Sequence, residues 1–232
     1  MRLDRFLANR DHTGRRRALQ QLAERRVRVN GLVVTDGLHE INAFTRVELD
    51  DILLQDRQAH YLMLHKPVGC ASATKDPQHR TVLDLIDLPC KHELHIAGRL
   101  DFNTSGLMLL TNNGQWSRRI TEPGEQKDKV YLVDTEDPIH PDAVTVFAQG
   151  IYFRFENLTT LPARLDVLTP TRARLTLHEG RYHQVKRMFG YFNNKVIALH
   201  RERMDAITLD TQLQPGDYRP LTPPEVESVW RA

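Results

Sequence analysis

The first residues of the chain carry apolar side chains at two different periods. Leu3, Phe6 and Leu7 recur at i, i+3 and i+4, which predicts one face of a short helix. After a turn at His12 to Gly14, Ala18, Leu19, Leu22 and Ala23 repeat that spacing and predict a second helix with these four inside. From Val27 the period shortens to two. Val27 and Val29 alternate with Arg26 and Arg28, and Asn30-Gly31 is the dipeptide of a tight hairpin. Two short helices and a hairpin make a head of about 50 to 60 residues, near the lower limit for a free-standing core. The stretch ILLQDRQAH at 52 to 60 turns polar and aperiodic and reads as a linker. The division predicted is a head at 1–55, a linker at 56–60 and a second domain at 61–232.

Beyond the linker, short strand-like runs dominate. YLMLHKPVG at 61–69 reads as a strand ending in a turn, GLMLLTNNG at 106–114 as a buried strand, and KVYLVDT at 129–135 as an alternating one. ARLDVLTPTRARLTL at 163–177 reads as a hairpin turning at Thr169 to Thr171. PDAVTVFAQGI at 141–151 and RYHQVKRMFGYF at 181–192 have helical spacing, with Val185, Met188 and Phe192 on one face of the latter. Strands with interspersed helices predict an α+β domain on a largely antiparallel mixed β-sheet with flanking helices.

Composition narrows the class. At 232 residues and 40% hydrophobic, the chain has the make-up of a globular protein. No apolar run approaches the roughly 18 residues that span a bilayer. The N-terminus has no apolar signal region, and only Cys70 and Cys90 are present, so the expectation is a cytoplasmic protein without a disulfide framework. The net charge of +2 argues against a polyanionic partner only as an average. Residues 1–30 hold nine arginines, including Arg2, Arg5, Arg15, Arg16 and Arg17, against three acids, giving +6, and the rest of the chain carries −4. Arginine forks onto phosphate oxygens and stacks on bases, so an all-arginine cluster is a nucleic-acid signal as well as an ordinary solvated face. Three of these arginines start the second helix, where cations oppose the helix dipole; phosphate contact accounts for them better than helix stability does.

Candidate chemistry gathers in HIAGRLDFNTSGLMLLTNNG, residues 95–114. Gly98 and Gly106 bracket a polar loop that holds Asp101 beside a buried strand, with Arg99 two residues earlier. By spacing alone a loop aspartate is more often a turn or cap residue.

Two resemblances change that weighting. RLDRFL at 2–7 with VRVNG at 27–31 resembles the S4 RNA-binding domain, with Gly14 departing from the serine usual at the second helix start. GRLDFNTSGL at 98–107 resembles the central motif of the RsuA/RluA superfamily of pseudouridine synthases, whose catalytic aspartate falls on Asp101. KVYLV at 129–133 resembles the family's Lys-x-Tyr strand and places the active-site tyrosine on Tyr131. EGRYHQVKRMF at 179–189 resembles the block whose basic residue pairs with the aspartate, here Lys186. The resemblance covers nearly the whole chain and departs at His65, where asparagine is usual. The S4 head and the KRM wording resemble the RsuA branch of that superfamily, and LHRERMDAITLD at 199–210 with PGDYRPLT at 215–222 resembles those of its members that act on one uridine of 16S ribosomal RNA.

What the resemblance implies is isomerisation of uridine in RNA, without cofactor or metal, on ribosomal RNA or a small-subunit assembly intermediate, by a protein expected to be monomeric. Asp101 would attack either C1′ of the sugar or C6 of the base, with a glycal route as the alternative. Tyr131 would stack on the base and accept the C5 proton. Arg99 would fill the space a flipped base leaves, and the basic residues from Arg181 onward, among them Arg187, would add RNA contacts. A large-subunit target and a non-catalytic S4 protein are the competing readings. A carboxylate-pair hydrolase would need a Glu partner for Asp101 at glycosidase spacing, which no second acid in these blocks suggests, and His92, Glu93 and His95 lack zinc-enzyme spacing.

Overall fold

The computed structural model describes residues 1–10, 14–122, 124, 126–154 and 156–231. Of the turn expected at His12 to Gly14, His12 and Thr13 lie outside the described residues. The chain forms two compact units, Met1–Ala59 and His60–Ala232.

In the first unit, α1 (Leu3–Arg10) and α2 (Gly14–Ala23) precede β1 (Val27–Val29), β2 (Leu32–Val33), β3 (Val47–Leu49) and β4 (Ile52–Gln55). The strands form an antiparallel sheet in the order β2-β1-β3-β4. Asn30 and Gly31 both have positive φ, 50° and 81°, as a type I′ hairpin requires. Leu3, Leu7, Ala18, Leu22, Val27 and Val47 form the core.

Two expectations fail here. Residues 52–55 are not linker: Leu49 pairs Ile52 across a two-residue turn, Asp50 and Asp51, both at positive φ. Ile52 and Leu53 are exposed and Leu54 and Gln55 half-buried, so β4 has no inward and outward alternation for the sequence to show. In α2, Gln21 is buried in place of Leu19 and Ala23, which are exposed. The buried set Ala18, Gln21 and Leu22 keeps the i, i+3, i+4 spacing with a polar residue in it.

The second unit runs β5 (Tyr61–Lys66), β6 (His95–Ala97), β7 (Ser105–Thr111), α3 (Gly114–Thr121), β8 (Lys129–Thr135), α4 (Ala143–Gln149), β9 (Tyr152–Phe153), β10 (Leu158–Thr159), β11 (Arg164–Thr169), β12 (Arg172–Leu177), α5 (Gln184–Gly190), β13 (Val196–Met204), β14 (Ile207–Thr208), β15 (Tyr218–Pro220) and α6 (Pro223–Ser228). The main sheet has the order β11-β12-β8-β13-β7-β5-β15, and β13 with β7 is its parallel pair. The protein is therefore α+β on a largely antiparallel mixed sheet. Helix α3 was not foreseen: Asn113, read as part of a turn, accepts from the N–H groups of Gln115 and Trp116 and caps it.

Strand β7 is buried on both faces, which is why GLMLLT shows no alternation. Met108 and Leu110 face a core shared with Val133, Phe147, Leu175, Met188 and Phe189, whereas Leu107 and Leu109 face Trp116, Ile120 and Ile207. At the start of β7, Gly106 lies opposite Arg201, and a Cβ on it would stand 2.3 Å from the Arg201 carbonyl oxygen. Only glycine permits that approach, which fixes where the loop before β7 meets the sheet. Among the described residues no helix is long and apolar enough to cross a membrane.

Candidate active site

The Asp101 loop joins β6 to β7 and is tied down from three directions. The Ser72 hydroxyl exchanges hydrogen bonds with the Leu100 main chain, and the Gly69 N–H donates to the Phe102 carbonyl at 2.9 Å. The third tie is Lys66. This ammonium is fully buried and donates to the carbonyls of Pro67, Phe102 and Thr104 at 2.9, 3.2 and 2.8 Å. Three acceptors match its three N–H donors, so a buried cation is satisfied by main chain alone. Burial pushes its pKa down to about 8, against the pull of Asp101 nearby.

From this loop the Asp101 carboxylate meets Lys186 Nζ at 3.3 Å and His183 Nε2 at 3.6 Å. Lys186 comes from α5, and His183 from the turn before it, where φ of 49° puts it in the left-handed region. Buried Glu179 fixes that turn: it accepts from the Leu161 N–H at 2.9 Å, from Gln184 Nε2 at 2.8 Å and from Arg181 Nε at 2.8 Å. Tyr131, on β8, is 8% exposed and lines the same cleft of about 200 Å³, as do Arg99, Lys129 and Arg201.

Asp101, Tyr131, Lys186 and Arg99 are thus brought together around one cleft. Arg187 is directed elsewhere. Its guanidinium forks onto the Glu156 carboxylate and lies 3.7 Å from the centre of the Phe153 ring, so it fastens α5 to the segment beside it. Arg201, also expected on an RNA face, is engaged internally: it is 1% exposed and donates to the Leu107 and Gly98 carbonyls. Lys195 remains exposed, 3.5 Å from an exposed Glu136. In the head, Arg2 and Arg15 both pair the buried Asp4, whose carboxyl the Arg2 hydrogen bond holds below its usual range. Arg5, Arg16 and Arg17 are exposed.

Sequence reasoning missed His183, Lys66, Lys129 and Glu179. His183 had a readable signal, since it stands three residues before Lys186. Lys66 had none, because its acceptors are carbonyls up to 38 residues away. Burial also lowers the Lys129 pKa, with neighbouring Arg201 adding to the shift. A larger cavity of about 670 Å³ lies on the reverse face of the sheet, beside His65 and His200. Its arginines are paired with acids, Arg174 with Glu202 and Arg164 with Asp166, so the smaller cleft is the one with chemistry to offer.

A loop carboxylate held against a lysine, over a small cleft with a buried tyrosine, suits nucleophilic chemistry on a single base. Comparison with known proteins gives the same class. Residues 60–191 match the family described as RNA pseudouridylate synthase. The chain belongs to that family, whose members are isomerases. Among its relatives, Ribosomal small subunit pseudouridine synthase A of Pseudomonas aeruginosa is 62% identical over 99% of this chain and 100% of that protein. The protein of the same name from Escherichia coli strain K12 is 46% identical over 99% of this chain and 100% of its own. A solved structure described as pseudouridylate synthase superposes with a TM-score of 0.72, at 40% identity and 99% coverage of both chains.

Proposed function

We propose that this protein isomerises one specific uridine of 16S ribosomal RNA to pseudouridine, with Asp101 as the nucleophile. The coarser part, a pseudouridine synthase acting on small-subunit ribosomal RNA, follows from the relatives named for that activity and matched over their full length. The observation that carries the finer part is the Asp101 carboxylate held 3.3 Å from Lys186 at a cleft that Tyr131 closes.

The reaction breaks the bond from C1′ to uracil N1, turns the base and forms the bond from C1′ to C5; C5 gives up its proton and N1 gains one, so the product is an isomer. Asp101 attacks the nucleoside, while Lys186 and His183 hold its carboxylate in one orientation. Tyr131 places a ring against the base and a hydroxyl at its edge, where the C5 proton leaves. A cleft of about 200 Å³ takes a base and not a helix, so the uridine leaves its stack first. Arg99, exposed on the same loop, enters the space behind it.

The head serves as an S4-type RNA-docking module through Arg5, Arg16 and Arg17, with Arg2 and Arg15 nearer its own Asp4. The enzyme acts as a monomer in the cytoplasm, where its RNA is made. Mapping pseudouridine in ribosomal RNA from cells with and without the gene tests the target: one 16S position disappears. Loss at a large-subunit site, with 16S RNA unchanged, would refute it. In vitro, Asp101→Ala abolishes isomerisation while RNA binding stays within about twofold.

A further inference from the structure

Two pairs of aromatic rings adjoin Asp101, and in each pair one ring, Tyr182 or Phe102, has no part in the chemistry above. Tyr182 stacks on His183, with ring centres 3.9 Å apart and planes 19° from parallel, and His183 is the residue that reaches the Asp101 carboxylate. Phe102 follows Asp101 in the chain, and its ring lies 4.8 Å from that of His79. Both rings face solvent, Tyr182 at 73% and Phe102 at 40% exposure.

Their backbones, in contrast, are held firmly. Buried Glu179 fastens Arg181 and Gln184 on either side of the Tyr182 turn, and His183 accepts a left-handed backbone to complete it. The Phe102 carbonyl takes hydrogen bonds from the Gly69 N–H and from buried Lys66. Lys66 bonds the Phe102 main chain directly, and Glu179 holds the Gln184 side chain, which in turn accepts from the Arg181 N–H at 3.0 Å, while in both places an aromatic ring is left in water. Strain and fixed exposure of this kind at a site's rim indicate a surface ordered in advance for a ligand.

Arg99, Arg181 and Lys186 line the adjoining cleft, so the ligand that suits these rings carries flat faces linked by anionic groups. We propose that Tyr182 and Phe102 are stacking platforms for the unpaired nucleobases on either side of the target uridine. This rests on the synthase reading and adds to it a source of sequence-context selectivity. The flanking bases are held on the two platforms while the uridine between them enters the cleft.

The test uses the full-length protein and a 16S ribosomal RNA fragment that it modifies. Stacking of one base on an aromatic side chain corresponds to about tenfold in affinity. Tyr182→Leu and Phe102→Leu should therefore each raise KM about tenfold, with a much smaller fall in kcat, and Phe102→Tyr should restore most of it. An RNA with an abasic nucleotide at one flank should raise KM for the wild type and leave one of the two leucine variants no worse than it already is. 2-Aminopurine at that flank should be quenched on binding to Asp101→Asn protein, and the quenching lost when the matching ring is replaced. Equal KM values for wild type and variants on intact RNA, or additive effects of the abasic site and both variants, would overturn the platforms. A wild type that forms pseudouridine in that experiment keeps the synthase reading intact; one that forms none refutes the reading itself.

Discussion

In the head, Arg5, Arg16 and Arg17 stand in solvent on two short helices, whereas in the catalytic unit Lys66 and Arg201 are sealed from solvent and bonded to main-chain carbonyls. The two units also differ in charge. Met1–Ala59 holds eleven arginines, no lysine and nine acids, for +2, and His60–Ala232 holds 21 basic and 21 acidic residues, for zero. The +6 of the first thirty residues is offset within the head itself, because residues 31–59 hold six acids against two arginines, and one of those acids, Asp50, forks onto Arg26. Counting charge along the chain therefore overstated the head's field. On the proposed docking role, the exposed arginines that remain are the ones that would meet a polyanion, while buried Lys66 holds the Asp101 loop. A cation's role follows from its partner: solvent leaves it available for phosphate, and carbonyls commit it to architecture.

The largest effect that sharpens this contrast is expected at Gly106. Gly106→Ala places a Cβ where the Arg201 carbonyl stands and forbids the observed φ of 110°. The catalytic unit should lose about 3 kcal/mol or more, read as a fall of roughly 6–12 °C in its thermal transition. Lys66→Met should follow closely. It keeps the apolar stem but takes the donor from the Pro67 and Thr104 carbonyls at about 1 kcal/mol each, the Phe102 carbonyl keeping the Gly69 N–H, and activity should fall more than stability because the Asp101 loop is what comes loose. A variant that unfolds no earlier and turns over at the wild-type rate would show that the buried ammonium holds nothing.

The head's counterpart is milder. Arg16→Gln with Arg17→Gln should weaken RNA binding about tenfold near 0.1 M salt, reduce the slope of log affinity against log salt by roughly 1.5, and leave the melting temperature within about 1 °C. The smallest effect is at the end of the catalytic unit, where hydrogen bonding from Arg219 pulls the Glu225 pKa down to about 2. Because the folded value lies below the unfolded one, this stabilisation is complete above about pH 4.5 and is lost as pH falls toward 2. Glu225→Gln should therefore separate from wild type by about 1 kcal/mol or less at neutral pH, and the gap should close across that acid window.

The strands of the catalytic unit were legible because alternation and apolar runs mark them, and the Asp101 loop was legible from its glycines. Helix α3 was hidden behind Asn112-Asn113-Gly114, which spells a turn until Asn113 is seen capping a helix. β4 was hidden because neither its apolar positions nor its burial alternates. The gathering of Asp101, Tyr131, Arg99 and Lys186 came from motif resemblance; no spacing in the chain predicts it. The ties that make the site rigid, Lys66 to the Phe102 and Thr104 carbonyls and Glu179 to the Leu161 N–H, join segments 18 to 38 residues apart, and a composition or period cannot express them. Arg187 shows the converse, since its place in a basic block gave no hint that Glu156 would occupy it.

The central claim is a division of labour, with docking in the head and chemistry at Asp101. It is tested most directly by measuring single-turnover pseudouridine formation and salt-dependent RNA affinity together, for Asp101→Asn and for the Arg5→Gln, Arg16→Gln, Arg17→Gln triple variant of the full chain. The first should form no pseudouridine and keep the wild-type affinity and salt slope; the second should bind more weakly with a flatter slope and react at close to the wild-type rate once saturated. Pseudouridine formed by Asp101→Asn, or an unchanged slope in the triple variant, would contradict the account.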